Sequence, residues 1–272
     1  MSGKLYLVGT PIGNLGDLSP RAADTLRTVD FIAAEDTRVT VKLLNHLGIK
    51  KPMLSYYEHN KRERGGEIIA RLLSGESCAL VTDAGMPAIS DPGEDMVRLA
   101  FENGIEVESV PGPSAVITAL AISGMPSGRF TFEGFLTVNK AGRRAHLAEI
   151  KNEKRTMIFY EAPHKLLSTL EDMLTYLGDR QIAIVRELTK IHEEVIHTTL
   201  SAAVEKYTLS PPKGEFVLII SGATEEKRVY SKEEAISLAK DFRKNGDTAS
   251  LAAKKAAEIT GIKKGDIYRE LN

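Results

Sequence analysis

Five loops of this chain follow one design, in which a strongly apolar run leads into a turn rich in glycine and proline that also carries polar side chains. These loops are residues 9–14, 35–38, 83–87, 111–114 and 161–164. In open α/β sheets, ligands bind where the carboxyl ends of the strands open into a crevice, because backbone N–H groups and loop side chains converge there. The repeated design therefore predicts an enzyme whose site lies along one edge of a sheet.

The loop Glu35-Asp36-Thr37-Arg38 is the most unusual of the five. Taken singly, the other loops are typical of ordinary turns and helix caps. Capping a helix does not require two acids and a guanidinium together, so this loop is interpreted as functional.

The first loop has three glycines within residues 9–16, and residues 35–36 place acids after the second strand, which is a pattern typical of dinucleotide-binding folds. However, the glycine spacing is loose and Pro11 removes one backbone donor from the turn. Asn14 and Asp17 put polar and acidic groups where a pyrophosphate favours bare backbone, and no Lys-Ser or Lys-Thr pair closes the turn as in a Walker loop. The loop therefore favours a cationic or neutral ligand.

Metal and nucleophile chemistry find little support in the sequence. The six histidines show no paired helical spacing with carboxylates, so no metal site is predicted. Ser90 and Ser114 lie in loops without an evident histidine partner, and we expect them to cap helices or bond a ligand.

Composition favours a globular protein of one or two domains, since the chain has 272 residues and is 42% hydrophobic. No apolar run approaches the roughly 20 residues that span a bilayer, and no leader is recognised, so we expect no membrane association. Cys78 is the only cysteine, which fits a reducing cytoplasm.

The net charge of −1 argues against nucleic-acid binding by bulk electrostatics. Local basic patches would have to carry any such role, although charge runs are also typical of solvated helix faces. The candidates are residues 61–64, 140–144, 254–255 and 263–264.

These loops must be positioned by an alternation of apolar β-rich runs and amphipathic segments over residues 4–109. Strands are predicted near 4–8, 31–34, 78–82 and 105–110, and helices near 20–28, 37–47, 62–74 and 93–103. The alternation is the signature of a wound α/β sheet. Ser19-Pro20 and Asp91-Pro92 both read as helix starts in which the first residue caps and the proline occupies the first turn.

A second α/β unit follows the helix predicted over 114–123. Its strands are predicted near 130–134, 156–160, 181–186, 193–199 and 215–221, the later ones close enough to be antiparallel. Residues 223–229 read as a charged linker, and helices near 232–244, 249–259 and 263–271 predict a helix-turn-helix-like tail. The resulting domains are 1–115, 116–222 and 230–272.

A string of longer motifs also runs along the chain: Gly-Thr-Pro-Ile-Gly-Asn-Leu-Gly-Asp (9–17), Ala-Ala-Glu-Asp-Thr-Arg (33–38), Tyr-Glu-His-Asn (57–60), Val-Thr-Asp-Ala-Gly-Met-Pro-Ala-Ile-Ser-Asp-Pro-Gly (81–93), Pro-Gly-Pro-Ser-Ala (111–115), Phe-Tyr-Glu-Ala-Pro-His (159–164), Arg-Glu-Leu-Thr-Lys (186–190) and Lys-Gly-Glu-Phe-Val (213–217). In this order they closely resemble the ribosomal RNA small subunit methyltransferase I family, the RNA-modifying branch of the tetrapyrrole methylase superfamily. The resemblance runs from Lys4 to about Ser221, and the tail resembles the helix-turn-helix appendage of the same proteins.

The resemblance implies S-adenosylmethionine-dependent 2′-O-methylation of a cytidine in the decoding region of 16S rRNA, in the small ribosomal subunit, by a cytoplasmic homodimer. It also implies a two-domain α/β fold of the tetrapyrrole methylase type, with the cofactor in the cleft between the domains. By motif position the cofactor would be bound by Thr10, Pro11, Asp83, Ala84, Gly85, Ile89, Ser90, Ser114, Ala115, Tyr160 and Leu188.

Methyl transfer to a ribose hydroxyl needs aligned reactants and benefits from a base that takes the hydroxyl proton. Glu35, Asp36, Glu58 and His59 remain alternative candidates for that base or for positioning the hydroxyl. Arg38 would hold a phosphate or the acidic cluster, as a bidentate donor does.

Two other functions stay open. A methylase of the same superfamily that acts on a tetrapyrrole would share the fold, but it gives no reason for the helical tail. A non-catalytic RNA-binding factor would keep the basic patches without needing the methyl donor.

Overall fold

A computed structural model describes residues 2–224 and 230–271. The chain divides into two compact units, Met1–Ala223 and Thr224–Asn272. Residues 225–229, most of the predicted linker, lie outside the described residues.

The first sheet is the wound α/β sheet that the alternating pattern predicts. Its five strands pair in parallel in the order β3-β2-β4-β1-β5. The strands are β1 Lys4–Val8, β2 Phe31–Ala34, β3 Met53–Ser55, β4 Cys78–Val81 and β5 Glu106–Val110, and the helices are α1 Pro20–Thr28, α2 Thr37–His46, α3 Lys61–Leu73 and α4 Gly93–Glu102. Every predicted strand and helix of this unit is confirmed to within about two residues at each end, and β3 is an additional short strand.

The second sheet is mixed, in the order β6-β7-β10-β8-β9. Strand β6 runs parallel to β7, whereas β10 runs antiparallel to β7 and to β8, and β9 runs antiparallel to β8, so the antiparallel prediction is confirmed. Its strands are β6 Phe130–Phe135, β7 Thr156–Glu161, β8 Gln181–Arg186, β9 Glu194–Thr199 and β10 Phe216–Ile220, and its helices are α6 Lys140–Glu149, α7 Leu166–Leu177 and α8 Leu200–Leu209.

Helix α5, Ala115–Ile122, follows the last strand of the first sheet but packs against the second. Its buried residues Val116, Ala119 and Leu120 join a cluster with residues of β7, β8 and β10. The opposite face of the second sheet carries a separate core under α6, α7 and α8. The predicted domain boundary at residue 115 stays a prediction, and the packing of α5 is consistent with it.

The second unit is the predicted three-helix tail, with helices α9 Lys232–Lys244, α10 Ala249–Thr260 and α11 Lys264–Arg269. Ser231 and Glu234 form a reciprocal capping box at the start of α9. Gly261 ends α10 in the left-handed conformation that glycine adopts without strain. Small side chains, mainly alanines, and Ile267 form the buried core of the unit.

Of two helix starts predicted from the sequence, one is confirmed and one differs. Ser19 caps α1 as predicted, its hydroxyl accepting from the Ala22 N–H. Helix α4 begins at Gly93 with Pro92 at its N-cap, so Pro92 does not occupy the first turn as expected, although the Asp91 carboxylate accepts from the Gly93 N–H.

In the patch at residues 140–144, Arg143 is buried and bonds the equally buried Asp172. Burial opposes ionisation of Asp172, but hydrogen bonds from Arg143 and Arg144 outweigh it and lower the pKa of that carboxyl. Arg143 is therefore a packing residue and not part of an exposed basic surface.

Two features are absent from the described residues. No helix there is long and apolar enough to cross a membrane. No group of three or more His, Cys, Asp and Glu side chains in residues 2–224 and 230–271 is arranged to hold a metal ion.

Candidate functional site

The carboxyl end of the first sheet and one end of the second open onto one cavity of about 610 Å³. This size lies within the range of roughly 300–1,000 Å³ that is usual for small-molecule sites. The first sheet contributes the loops after β1, β2, β4 and β5, and the second contributes the ends of β6, β7, β8 and β10. We call it the large cavity.

Strand order explains which loops meet. Because β4 lies between β1 and β2, the loop after β4 is flanked by the loops after both neighbours. Thr10 and Gly85 exchange two backbone hydrogen bonds, of 2.9 and 3.1 Å, which tie the first loop to the loop after β4. The Thr10 hydroxyl, almost fully buried, also donates to the Thr82 carbonyl oxygen at 3.2 Å.

The loops after β1 and β5 touch backbone to backbone. A Cβ atom built on Gly9 would lie 2.7 Å from both N and Cα of Gly112, and one built on Gly112 would lie 2.8 Å from Cα of Gly9. Real Cβ atoms do not approach backbone so closely, so this contact requires glycine on both sides.

A network of acids connects the loops after β2 and β4. The Thr82 hydroxyl donates to the Glu35 carboxylate at 2.5 Å, and the Asp36 N–H donates to Asp83 Oδ1 at 3.1 Å. Although Asp83 keeps part of its surface in solvent, desolvation and the nearby Glu35 charge raise the pKa of its carboxyl. Asp36 differs, because hydrogen bonds from Arg38 hold its pKa at about 2.

The loop between β4 and α4 adopts an uncommon backbone conformation. Ala88 and Ser90 have φ angles of 68° and 63°, in the left-handed region that disfavours side chains. Asp91 supports this geometry, since its carboxylate accepts from the N–H groups of Ala88, Ile89 and Gly93. Burial raises the pKa of Asp91 despite these bonds. Backbone strain supported in this way is typical of ligand-binding loops.

The second sheet supplies an aromatic and apolar wall. Phe135 and Tyr160 lie with ring centroids 5.3 Å apart, and Phe135 is 58% exposed. Behind this wall, the buried Glu161 accepts from the Ala162 N–H and from the Thr169 hydroxyl. Leu188 also lines the cavity, from a turn in which both its neighbours, Glu187 and Thr189, have positive φ angles.

The charge of the large cavity is one-sided. Five of its lining residues are acidic, and none of its described lining residues is lysine or arginine. The acidic lining residues are Glu35, Asp83, Asp91, Glu161 and Glu215, of which Glu215 pairs with Lys190 at 2.8 Å. This group of acids favours a cationic ligand and repels a phosphate, in agreement with the interpretation of the first loop. S-adenosylmethionine carries a positive sulfonium beside an adenosyl group, so both the acids and the apolar wall fit it.

The large cavity brings most of the predicted cofactor residues together. Asp83, Ala84, Gly85, Ile89, Ser90, Ser114, Ala115, Tyr160 and Leu188 all line it. Thr10 and Pro11 do not, and line a smaller neighbouring cavity instead. The hydroxyl of Ser114 makes no capping bond although Ser114 is the N-cap of α5, so it is available to a ligand.

The predicted catalytic residues are more scattered. Glu35 lines the large cavity, whereas Asp36 and Arg38 pair with each other beside it. Glu58 forms an ion pair with Lys61 at 2.7 Å, and the His59 ring packs edge-on against Tyr57. Neither Glu58 nor His59 lines the large cavity or its smaller neighbour.

Some lining residues are not among the predicted site residues. Phe135 and Val185 reach the cavity because β6 and β8 end there, and the segment 215–217, part of the motif at 213–217, reaches it because β10 begins there, antiparallel to β7 and β8. A single rule, that residues at the carboxyl ends of neighbouring strands share a site, would have found several of them.

The smaller cavity, of about 230 Å³, lies beside the large one. It is lined by the first loop and by helix α2, and Thr82 and Asp83 line both cavities. We call it the side cavity. Its remaining lining residues are Thr10, Pro11, Gly13, Leu15, Val39, Thr40, Lys42 and Leu43.

Comparison with known proteins gives consistent matches. The family of tetrapyrrole (corrin/porphyrin) methylases matches residues 4–204. A protein of Synechocystis sp. named ribosomal RNA small subunit methyltransferase I is 48% identical over 269 residues, which cover 98% of this chain and 96% of that protein. One of Thermotoga maritima with the same name is 50% identical over 220 residues, which cover 81% of this chain and 99% of that protein.

Among solved structures, uroporphyrin-III C-methyltransferase from Thermus thermophilus, complexed with S-adenosyl homocysteine, superposes with a TM-score of 0.58. It is 18% identical, and the match covers 84% of this chain and all of that one. At this identity the likeness concerns the fold alone.

Proposed function

This chain belongs to the ribosomal RNA small subunit methyltransferase I family, within the tetrapyrrole methylases, and we propose that it 2′-O-methylates a cytidine in the decoding region of 16S rRNA. The coarser activity, methylation of rRNA with S-adenosylmethionine as donor, follows from the family. The choice of cytidine and of the ribose 2′-oxygen is the proposal.

The structural observation that supports the methyl donor is the charge of the large cavity, whereas the choice of nucleotide rests on the resemblance of the motifs. The acidic lining residues, and the lack of lysine or arginine among the described lining residues, favour a sulfonium donor. Charge complementarity of this kind matters most in a partly desolvated site, where the effective dielectric constant is low. A phosphate-bearing cofactor would meet repulsion at the same positions.

When bound, S-adenosylmethionine supplies an electrophilic methyl group: its carbon–sulfur bond breaks and leaves the electron pair on sulfur, while a carbon–oxygen bond forms at the acceptor. The protein must hold the acceptor oxygen in line with that bond, and orientation of this kind is worth roughly 7–11 kcal/mol in favourable cases. The hydroxyl proton must also leave. A base that takes it contributes roughly 10²- to 10⁴-fold.

Glu35 is the best placed of the four proposed bases. Its carboxylate lines the large cavity and is oriented by the hydroxyl of Thr82. Asp36 is a weaker base, because Arg38 holds its pKa at about 2. Glu58 is neutralised by Lys61. We propose that Glu35 takes the proton or orients the hydroxyl, and that Arg38 holds a flanking phosphate with its largely exposed guanidinium.

We propose that the protein acts on the small ribosomal subunit in the cytoplasm, as a homodimer. Nine residues form the proposed cofactor site: Asp83, Ala84, Gly85, Ile89, Ser90, Ser114, Ala115, Tyr160 and Leu188.

The test is methyl transfer from labelled S-adenosylmethionine to isolated small subunits, with the modified nucleotide mapped. We expect one 2′-O-methylcytidine. Glu35→Gln should bind the donor normally in calorimetry and lose about 10²-fold or more in turnover. Glu58→Gln is the matched control, since Glu58 lies outside both cavities, and it should stay near the wild-type rate.

Other outcomes support the alternatives. Methylation of a tetrapyrrole with no transfer to subunits would identify a small-molecule methylase. Binding of subunits without binding of the donor would identify a non-catalytic factor.

A further inference from the structure

The side cavity shares Thr82 and Asp83 with the large cavity, so a ligand in one lies next to a ligand in the other. We propose that the side cavity holds the acceptor nucleoside, turned out of its RNA strand, with its base against helix α2. This inference rests on the proposed function, because it assigns the acceptor of that reaction to a place.

The side cavity has a size that fits one nucleoside. The side cavity measures about 230 Å³, below the usual range for whole cofactors of roughly 300–1,000 Å³. It therefore suits one nucleoside and excludes a tetrapyrrole or a stacked pair of bases.

The chemistry of its walls is the second argument. Leu15 and Val39, 48% and 37% exposed, present aliphatic surface on facing elements, the first loop and α2. Enzymes that act on a single nucleotide of a strand hold the extruded base between aromatic or apolar side chains. Large aliphatic side chains exposed in a concave site are consistent with such a partner.

The polar groups are the third argument. Lys42 lines the side cavity at an exposed position and has no ion-pair partner within the part of the chain that the structure describes. Its ammonium group suits a phosphate next to the extruded nucleoside. Asp83, on the shared wall, is placed to accept a hydrogen bond from the sugar or the base of a nucleoside in the side cavity.

The test compares two valines of the same helix. Val39 lines the side cavity, whereas Val41, 38% exposed, does not. Val39→Phe fills the cavity, so kcat/KM for small subunits should fall about tenfold or more. The dissociation constant for S-adenosylmethionine should stay at the wild-type value. Val41→Phe should leave both quantities unchanged.

A second pair of variants probes the lysine. Lys42→Ala should raise KM for the subunit and make its salt dependence shallower, because the protein then neutralises one phosphate fewer. Lys50→Ala is the control, since Lys50 is also exposed but lies outside the side cavity. Wild-type kinetics for both Val39→Phe and Lys42→Ala would overturn the inference.

A readout without turnover separates this inference from the proposed function. Methyl NMR of the protein with S-adenosyl homocysteine would follow the addition of a short single-stranded RNA with a central cytidine. We expect shifts at the methyl groups of Leu15, Val39 and Leu43, and their loss in Val39→Phe. Shifts confined to other parts of the protein, or none, would refute the placement. Inactive wild-type enzyme that still shows the expected shifts would refute only the proposed reaction.

Discussion

Gly9→Ala tests whether the loops after β1 and β5 meet as closely as the structure shows. The added Cβ would lie 2.7 Å from N and Cα of Gly112 and 2.7 Å from Sδ of Met86. The flexible Met86 side chain can move away. The Gly112 backbone cannot move without shifting the exit of β5, to which Gly9 is also bonded through the carbonyl oxygen of Val110.

The size of the effect follows from that distance. Carbon atoms pack best at about 3.5–4.0 Å, so the two loops must separate by roughly 1 Å. Overpacking of this kind costs about 1–3 kcal/mol. For a unit of this size, 1 kcal/mol shifts the melting temperature by about 2–4 °C, so Gly9→Ala should melt about 2–12 °C below the wild type. S-adenosylmethionine should also bind more weakly, because the displaced loop after β5 carries Ser114 and the displaced loop after β1 is bonded to Gly85 through Thr10.

The assay is thermal unfolding together with calorimetric titration of the donor. Gly66→Ala is the matched control, because Gly66 lies within α3 and a Cβ there meets no atom within 4 Å. Alanine should stabilise that helix by about 0.8–1 kcal/mol. If Gly9→Ala melts at the wild-type temperature and binds the donor normally, the close backbone approach is wrong.

Three further perturbations have definite expected outcomes. Asp83 has a raised pKa in the folded state, so its ionised form lowers stability above that pKa. Asp83→Asn should therefore have a higher melting temperature than the wild type at pH 7, and the difference should shrink as the pH falls towards 3.8. An unchanged or lower melting temperature at pH 7 would contradict this expectation. Joint replacement of Lys263 and Lys264 by alanine should weaken subunit binding and leave donor affinity intact. The slope of subunit affinity against salt concentration should fall by roughly 0.7–0.9 for each phosphate that is no longer neutralised. An unchanged slope would mean that the tail is a packing appendage. Asp172→Asn should lower the free energy of unfolding by about 3–5 kcal/mol in urea, because it leaves the buried Arg143 without its charged partner. A change below about 1 kcal/mol would show that the pair is solvated.

The tail prediction has particular interest in view of the Thermotoga maritima relative. That protein is matched over 99% of its own length by 81% of this chain. About a fifth of this chain therefore lies outside that match. A role in holding RNA, rather than in the chemistry, is what the lysine variants would detect.

Sequence alone determined most of the local structure, because helices and strands depend on short-range signals. The Ser19 cap, the capping box at Ser231 and the glycine that ends α10 are all readable from adjacent residues. Strand β3 was not predicted, since three partly buried residues give too short a pattern. The motifs also carried the resemblance to the family, and the fold agrees with it.

Only the tertiary structure decided which polar residues act together. Asp83 touches the Glu35-Asp36 loop and both cavities because β4 lies between β1 and β2, an order that no local pattern specifies. Glu58 was grouped with Glu35 by motif, yet it pairs with Lys61 outside both cavities. Arg143 looked like part of a basic surface until Asp172, from another helix, placed it in the core. Side chains far apart in sequence meet through sheet order and helix packing, which depend on the burial of the whole chain and not on any one segment.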